Sequence, residues 1–259
     1  MLKLTFLGTG TSTGVPIIGC DCPVCQSPDA ADKRYRSSVL LRSPEMTWIV
    51  DTGPDFRSQA LRCGLKELDA VLITHAHTDH IMGFDDLRRF TFGENDQLPV
   101  YAPAETLADL RRVYDFAFSG QNRYAGYFKP EPHVVTGPFC LGKTTVTPLP
   151  VLHGRIYTTG YHFQYERGPR LAYIPDCKLI PDATLELLAD VDVLIVDGLR
   201  YELHPTHFSI QEALDAAAAC RARHTWLTHL SHSVSHASLS AALPRNVSVA
   251  YDTLEIVLA

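Results

Sequence analysis

Residues 74–80 form a histidine-rich segment, Thr-His-Ala-His-Thr-Asp-His, that directly follows a short apolar run. Such a run is typical of a buried strand, so the polar side chains are expected where the strand ends. In an extended chain, residues two apart point to the same side, so His75 and His77 can hold one cation together. Asp79 and His80 follow where the chain is expected to turn into a helix, and they can face a second cation. The segment predicts a two-metal centre, which is the kind of site that activates water for hydrolysis.

Three further candidate ligands stand at the ends of predicted strands later in the chain. His153, Asp176 and His229 each follow a largely apolar segment directly. Taken alone, a polar residue at a strand end is more often a solvated or capping residue. Together, the three repeat one geometry, a polar side chain at the edge of a sheet. We therefore interpret them as the other half of the metal site.

The elements that must position these residues are predicted from hydrophobic periodicity. A strand at 2–7 leads into a long loop rich in glycine, cysteine and proline, which runs to about residue 36. Further strands are predicted near 37–42, 47–51, 70–74, 100–102, 144–147, 157–165, 171–174, 192–196 and 224–227, with two short ones closing the chain, and helices near 55–63, 85–90, 104–117, 181–189 and 209–222. Strands paired in meanders with interspersed helices predict two packed sheets with helices outside, in one α/β domain of residues 1–259.

The composition is that of a globular enzyme and limits the partners. Of the 259 residues, 46% are hydrophobic and 20% are charged, and the formal net charge is −6. That charge argues against nucleic-acid binding, because such binding depends on lysine and arginine neutralising phosphates. No stretch approaches the ~20 apolar residues of a membrane span, and no signal-peptide pattern is present, so we expect a cytoplasmic protein with no membrane partner.

Three of the seven cysteines lie within six residues of the long N-terminal loop, in a C-x-C-x-x-C motif: Cys20, Cys22 and Cys25. Thiolates this close suit one tetrahedral Zn²⁺, which needs a fourth ligand. His232 is the favoured fourth ligand, because it stands three residues beyond the last candidate of the metal centre, and His236 is the alternative. A structural zinc would tie this loop, at about 8–36, to the far end of the fold.

The order of the motifs, H-x-H-x-D-H followed by a histidine, an aspartate and a histidine, resembles that of the metallo-β-lactamase superfamily. The resemblance spans nearly the whole sequence and implies an αβ/βα four-layer sandwich with a two-metal site between the sheets. By position, the implied ligands of one ion are His75, His77 and His153, those of the other are Asp79, His80 and His229, and Asp176 bridges the two. Asp51 matches the aspartate behind the histidine segment, where it would orient the imidazole rings; read alone, it is a turn or helix-cap residue.

Three features narrow the resemblance to the phosphodiesterase branch of the superfamily. They are the cysteine motif, a glycine-rich opening at 7–16 and a histidine, His207, just before a helix that Ser209 can cap. The chain looks most like the PhnP-type phosphodiesterases of the carbon–phosphorus lyase pathway, which open phosphoribosyl 1,2-cyclic phosphate and carry a Cys3His zinc. The resemblance implies hydrolysis of this or a related small cyclic phosphodiester by hydroxide activated at a dinuclear Zn²⁺ or Mn²⁺ centre, with one structural Zn²⁺ elsewhere. Asp79, Asp176 and His207 are the expected catalytic residues, and His207 would protonate the leaving alkoxide or stabilise charge on phosphorus.

Two other functions remain open. A thioesterase of the glyoxalase II kind would not need His207, and a PqqB-like protein would bind metal without turnover. The tRNA 3′-processing endonuclease Z shares the glycine-rich opening, but the chain lacks an obvious arm for tRNA and its charge opposes that substrate. The expected partner is a small anionic phosphodiester, and the sequence leaves a homodimer open. The candidate contacts for the phosphate of this substrate are five basic residues near the motifs: Lys33, Arg34, Arg36, Arg155 and Arg200.

Overall fold

The computed structural model describes residues 1–92, 97–120 and 127–259, and these residues form two seven-stranded sheets. The first sheet contains β1 (Leu2–Gly8), β2 (Ser38–Arg42), β3 (Thr47–Val50), β4 (Ala70–Leu72), β5 (Leu98–Ala102), β6 (Pro130–Val134) and, at its far edge beside β1, β14 (Glu255–Leu258). The second contains β7 (Phe139–Leu141), β8 (Thr144–His153), β9 (Ile156–Tyr165), β10 (Arg170–Ile174), β11 (Val193–Asp197), β12 (His224–Thr228) and β13 (Val247–Val249), which neighbour one another in that order. The helices are α1 (Phe56–Arg62), α2 (Thr78–Ile81), α3 (Ala104–Val113), α4 (Asp115–Phe118), α5 (Asp182–Leu188), α6 (Ile210–Ala219) and α7 (His236–Ala242), with short 3₁₀ helices at Ala30–Asp32 and Phe84–Thr91.

Alternating side chains of each strand divide the core into layers. In β3, Trp48 and Val50 pack in the cluster between the two sheets, whereas Ile49 packs outward against the helices beside the first sheet. In β10, Tyr173 faces the other sheet and Ala172 faces the helices of the second. This follows from the two-residue period of a strand. Both faces of each sheet are therefore buried in these strands, and the predicted αβ/βα four-layer sandwich is confirmed.

Parallel pairing directs several strand ends to one edge of the sandwich. In the first sheet, β3, β4 and β5 run parallel, and in the second sheet β10, β11 and β12 do the same. Contacts between the sheets hold this edge together: the Tyr161 hydroxyl donates to the carbonyl of Ile73 at 2.9 Å, and the Thr159 amide donates to the carbonyl of Thr74 at 3.1 Å. Residues that follow these strands are thus brought to one place.

The strand that delivers His153 is longer than the sequence predicted. The pattern predicted a strand only over 144–147, whereas β8 continues to His153 through Pro148 and Pro150. Proline lacks the amide hydrogen needed in the middle of a sheet. It is accommodated because β7 pairs only with residues 144–146, so β9 is the only strand beside Pro148 and Pro150. Beyond the prolines, Leu152 also bonds to Lys178 and Leu179. The predicted helix at 104–117 is also divided, into α3 and α4.

The long loop after β1 is fixed by close backbone contacts. A Cβ atom at Gly8 would lie 2.0 Å from the carbonyl oxygen of Arg36, so only glycine fits there. The Arg34 guanidinium is buried, donates to the carbonyls of Ser231 and Val234, and pairs with Asp32 at 3.3 Å. These bonds hold the loop against the segment after β12. Across the described ranges, no helix has the length and apolar character to cross a membrane.

Candidate metal centre

The histidine segment is built on the end of β4 and supported from behind by Asp51. The Asp51 carboxylate accepts hydrogen bonds from the Thr74 amide and hydroxyl, both at 2.8 Å, and from Nδ1–H of His80 at 2.7 Å. Burial raises the pKa of Asp51, and its contacts with His80 and Thr74 offset part of that rise. A Cβ atom at Gly53 would lie 2.0 Å from the carbonyl oxygen of Asp79, so glycine is needed where α2 packs against this loop.

The structure brings the seven predicted ligands into two groups that share Asp176. Within each group the candidate ligand atoms all lie within 4.8 Å of one another. The first group is His75, His77, His153 and Asp176, and the second is Asp79, His80, Asp176 and His229. The two carboxylate oxygens of Asp176 face different groups. Oδ2 lies 3.8 Å from His75 Nε2, and Oδ1 lies 3.2 Å from His80 Nε2 and 3.4 Å from His229 Nε2.

Hydrogen bonds on the outer side of the rings direct Nε2 inward. His153 donates from Nδ1 to the carbonyl of Thr206 at 2.7 Å, and His75 contacts the Thr74 hydroxyl through Nδ1 at 3.0 Å. With His80 bonded to Asp51 in the same way, these three rings are held through Nδ1 and leave Nε2 for another partner. Such outer bonds are what fixes the tautomer of a metal-binding histidine.

The inner atoms fit divalent metal ions. His75 Nε2, His80 Nε2, His229 Nε2 and Asp176 Oδ1 are buried, and none makes an acceptable hydrogen bond within the described part of the chain. Buried polar atoms are normally paired. Ligands about 2.0–2.2 Å from one tetrahedral ion lie roughly 3.3–3.6 Å from each other, which is close to the distances around Asp176. The unpaired atoms, their spacing and the His/Asp chemistry therefore agree with a two-metal site.

Opposite charges at the centre shift the pKa values strongly. Burial lowers the pKa of His229, but the carboxylates of Asp176, Asp79 and Asp197 outweigh it and raise that pKa to about 9. Burial also lowers the pKa of His80, but the carboxylates of Asp176, Asp51 and Asp79 outweigh it and hold that pKa well above its usual value. Burial raises the pKa of Asp176, yet His229 and His80 hold it well below the ordinary range. The raised pKa values of His80 and His229 favour protons on these two rings when no metal is bound, so metal binding must displace those protons.

His207 lies beside this centre and is oriented by a residue that the sequence did not reveal. Its ring centroid is 4.5 Å from that of His153 and 4.7 Å from that of His229. Its Nδ1–H donates to Oδ2 of Asp197 at 2.7 Å, and the same oxygen accepts from the amide of Cys177 at 3.0 Å. Asp197 is the last residue of the buried strand β11, and Asp176 lies two residues beyond the end of β10, so both carboxylates stand at the end of a buried strand. That position is the signal by which the sequence could have identified Asp197.

Local structure after β11 sets the position of His207. Ser209 caps α6 as predicted: its hydroxyl accepts from the amide of Glu212, and the Glu212 carboxylate accepts from the Ser209 amide at 2.8 Å. This reciprocal bonding fixes where the helix begins. Thr206, the residue before His207, is held as well, because its carbonyl accepts the hydrogen bond from Nδ1 of His153. The segment that carries His207 is thus tied both to a helix and to a predicted ligand.

The cysteine motif and His232 form a separate cluster. Nδ1 of His232 lies 3.3 Å from Sγ of Cys20, 3.5 Å from Cys22 and 3.8 Å from Cys25. A hydrogen bond from the Cys25 amide lowers the pKa of Cys22 to about 6, whereas burial raises the pKa of Cys25 to about 11. His236 is not part of the cluster; its amide bonds to Asp32 and its ring packs 5.6 Å from that of Tyr251.

Most of the basic residues considered for substrate phosphate have other roles. Arg34 is buried in the loop contacts already described. Arg36 pairs with Asp55 at 3.1 Å, and Lys33 donates to the carbonyl of Cys25 at 2.8 Å. Arg200 donates to the carbonyl of Leu203 within its own loop. Arg155, in the exposed turn between β8 and β9, makes no ion pair with the described residues.

Comparison with known proteins agrees with this architecture. Residues 47–230 match the model of the beta-lactamase superfamily domain, and the chain belongs to this superfamily. Its fold and its His/Asp groups are those of the metallo-β-lactamase type, the class in which metal-dependent hydrolases occur. The resemblance predicted from the motifs is confirmed.

Particular relatives narrow the likeness. The chain is 38% identical to a crystallised new diphosphatase from the PhnP family, with a TM-score of 0.90 and coverage of 99% of this chain and 98% of that one. Zn²⁺-bound PqqB from Methylobacterium extorquens shares the fold at 22% identity and a TM-score of 0.79, with 99% and 100% covered. A protein named octanoyltransferase from Porphyromonas gingivalis is 37% identical over 267 residues, 99% of this chain. The chain spans about half the length of that relative, 52%.

Proposed function

We propose that the protein hydrolyses a small cyclic phosphodiester, such as phosphoribosyl 1,2-cyclic phosphate or a related cyclic phosphate. The observation that carries this proposal is the His207–Asp197 pair, which stands beside two ligand groups that share a carboxylate. Similarity to a diphosphatase of the PhnP family supports phosphoryl chemistry at this site. In the reaction, water adds to phosphorus, one ring P–O bond breaks, and the released alkoxide takes up a proton.

Metal binding is assigned to the two groups as the sequence predicted. His75, His77 and His153 would hold one ion, Asp79, His80 and His229 the second, and Asp176 both. Two divalent ions there, Zn²⁺ or Mn²⁺, would lower the pKa of bound water and polarise the phosphoryl oxygens. The protein's part is to hold the ligands in fixed directions, through Asp51 and the other bonds to Nδ1. It also keeps the rings of His75, His80, His153 and His229 buried, whereas His77 is exposed.

His207 is the candidate general acid. Asp197 accepts its Nδ1–H, so Nε2 is the nitrogen that is available to a substrate. With the ring held by the buried Asp197 carboxylate, His207 would deliver a proton from Nε2 to a leaving alkoxide. An alkoxide of a sugar is strongly basic, and its departure depends on such a proton. A hydrolase for sugar esters therefore benefits from this pair.

A closed zinc site is proposed for the cysteine cluster. Three thiolates and one imidazole are a typical structural donor set for Zn²⁺. The site would join the loop after β1 to the segment after β12, where Arg34 already makes buried contacts. Its role would be to stiffen the edge of the sandwich that carries His229.

A thioesterase is the second candidate, and one relative favours it. The protein named octanoyltransferase matches this chain over about half its own length, so an acyl thioester is a substrate class to consider. A thiolate leaves without protonation, however, and such a reaction would make no use of the His207–Asp197 pair. A non-catalytic PqqB-like protein is supported only by distant similarity, at 22–29% identity in the PqqB relatives compared.

A substrate panel distinguishes these functions. The purified protein, loaded with Zn²⁺ or Mn²⁺, is assayed with bis-p-nitrophenyl phosphate, a nucleoside 2′,3′-cyclic phosphate and an octanoyl thioester. We expect turnover of both phosphodiesters and little thioester hydrolysis. Preferred hydrolysis of the thioester would establish the second candidate instead. Metal-loaded protein that is inert towards all three substrates would favour the binding protein.

A further inference from the structure

A cavity of about 510 Å³ opens beside the first ligand group of the metal centre. It is bounded by His75 at the end of β4, by the first turns of α3 and by the first residues of β9. This volume is within the range of small-molecule sites, about 300–1,000 Å³. The cavity could not be predicted from the sequence, because its walls come from three separate segments.

His75 connects the cavity to the centre. The residue is 3% exposed, and its Nε2 atom has no hydrogen-bond partner in the described ranges. The same atom lies 3.8 Å from Asp176, the carboxylate shared by the two groups. A substrate with its phosphate at the centre therefore has room for its remaining atoms in the adjoining cavity.

The lining of the cavity carries negative charge. Glu105 and Asp109 stand one turn apart on α3, and both belong to the lining. Asp109 pairs with Arg112 at 2.9 Å, but both side chains are exposed and Arg112 is not in the lining. Glu105 has no ion pair with a described residue. Neither lysine nor arginine occurs among the described lining residues. A phosphate group in the cavity would meet like charge and find no cationic partner.

The same lining suits hydroxyl groups. Carboxylates accept hydrogen bonds from hydroxyls, and the side chains of Thr106 and Thr159 can both donate and accept. Tyr157 adds a phenol and an aromatic face, and it is 68% exposed in the absence of a ligand. An aromatic ring with polar groups around it is a surface on which a sugar or a base can pack.

We propose that this cavity binds a neutral, hydroxylated part of the substrate, the sugar or nucleoside portion of a cyclic phosphate, and selects against a second phosphate at that end. The inference rests on the proposed phosphodiesterase function and narrows its substrate class. Phosphoribosyl 1,2-cyclic phosphate carries a second phosphate and is then a poorer substrate than its unphosphorylated counterparts. An alternative phosphate contact is Arg155, which precedes the lining residues Ile156 and Tyr157 but is not itself part of the lining.

The experiment compares two substrates that differ by one phosphate. These are a nucleoside 2′,3′-cyclic phosphate and the same molecule with a 5′-phosphate. The metal-loaded wild type should show the higher kcat/KM for the molecule without the 5′-phosphate. Glu105→Lys should raise the ratio of phosphorylated to unphosphorylated kcat/KM about tenfold, mainly through KM, because a repulsive charge becomes attractive. Glu105→Gln should give a smaller rise, and added salt should weaken both effects.

Glu166→Lys is the matched control. It makes the same charge change at the other end of β9, roughly 30 Å from Ile156 at about 3.3 Å per residue, and it should leave the ratio unchanged. A wild-type preference for the phosphorylated substrate that Arg155→Ala abolishes, or an unchanged ratio in Glu105→Lys, would overturn the proposal. If neither molecule is hydrolysed, the proposed function fails, and the cavity is judged by calorimetric Kd values for the same two molecules. Equal Kd values in wild type and Glu105→Lys would then reject the proposal that this cavity selects against a second phosphate.

Discussion

The two clusters of potential ligands in this protein are built in different ways. The His/Asp centre takes its residues from the ends of strands in both sheets, and Asp176 serves two groups at once. The Cys3His cluster takes three of its four residues from six positions of one loop. The His/Asp centre forms only when both sheets are folded and packed together. The Cys3His cluster mainly requires that the loop after β1 contacts the segment after β12. The difference suggests that the first cluster serves chemistry and the second serves the positioning of a loop.

The donor groups of the two clusters also differ in the way expected for a catalytic and a structural site. Carboxylate and imidazole groups suit Zn²⁺ or Mn²⁺ equally, and a site made of them beside a cavity can exchange ligands with a substrate. Three thiolates with one imidazole select zinc more strictly and complete a tetrahedron, which leaves no position for a substrate. Substitutions in the two clusters should therefore separate turnover from stability.

The largest expected effect comes from Asp176→Ala. Its two oxygens face both ligand groups, so its loss should reduce bound metal from about three ions to about one and lower turnover of bis-p-nitrophenyl phosphate by about 10⁴-fold or more. Metal content is measured by elemental analysis and turnover by p-nitrophenolate release. Asp215→Ala, on the exposed side of α6, is the control and should behave as wild type. Retention of all three ions and of activity in Asp176→Ala would show that the centre is assigned wrongly.

His207→Ala should have the next largest effect, with metal content intact. We expect turnover of a nucleoside cyclic phosphate to fall about 10²–10⁴-fold, the range typical of a general acid. The deficit should shrink for bis-p-nitrophenyl phosphate, because p-nitrophenolate departs without a proton. An equal deficit on both substrates would indicate stabilisation of charge on phosphorus. No deficit on either would favour the thioesterase.

Asp197→Asn should lower turnover less than His207→Ala does, by about 10–10²-fold. Asp197 acts through His207, so the double variant should be no slower than His207→Ala alone. A structural defect would instead add to the effect of His207→Ala and lower the unfolding temperature. The four proteins are compared by kcat on the nucleoside cyclic phosphate and by thermal unfolding. Multiplying effects would mean that Asp197 does not work by orienting the imidazole.

Cys20→Ser tests the other cluster. It should release the zinc that resists a weak chelator and cost about 2–4 kcal/mol of stability, which lowers Tm by roughly 5–15 °C. At temperatures where the variant stays folded, kcat should change only a few-fold. Cys140→Ser is the matched control, since Cys140 is exposed and outside the cluster. Tight zinc and an unchanged Tm in Cys20→Ser would contradict the structural role.

The sequence predicted the fold, and the structure brings the residues that it singled out as ligands together, for one physical reason. A buried strand leaves an apolar run, and a polar residue placed directly after that run is conspicuous, as with His75 and Asp176. Asp197 was not identified, although it directly follows the strand predicted at 192–196 and ends β11 in the structure. The roles of Arg34 and Arg36 could not be predicted, because their partners, Ser231 and Val234 for one and Asp55 for the other, are distant in sequence. The cavity beside His75 was hidden for a similar reason, because three segments distant in sequence form it.

The smallest expected effect is that of substituting His162 on the pH dependence of stability. This substitution distinguishes acid unfolding of the fold from unfolding caused by metal loss. Metal release in acid weakens both clusters, but His162 lies on β9 away from either. Burial lowers its pKa to about 4, helped by Arg170 and opposed by Asp192. Between the ordinary value of 6.5 and about 4, the unfolded chain takes up a proton that the folded chain does not, so the stabilising contribution is complete above pH 6.5 and is lost as the pH falls through this window.

The expected loss is about 1–2 kcal/mol, less than the full shift implies because the ring is only partly shielded from water. His162→Gln cannot take up that proton. Its free energy of unfolding should therefore vary less between pH 6.5 and 4.5 than that of wild type, when both are measured by urea denaturation with metal removed by a chelator. The readout is the dependence on pH, since a change in packing would shift stability equally at every pH. Parallel curves for the two proteins would assign the acid sensitivity to the two clusters instead.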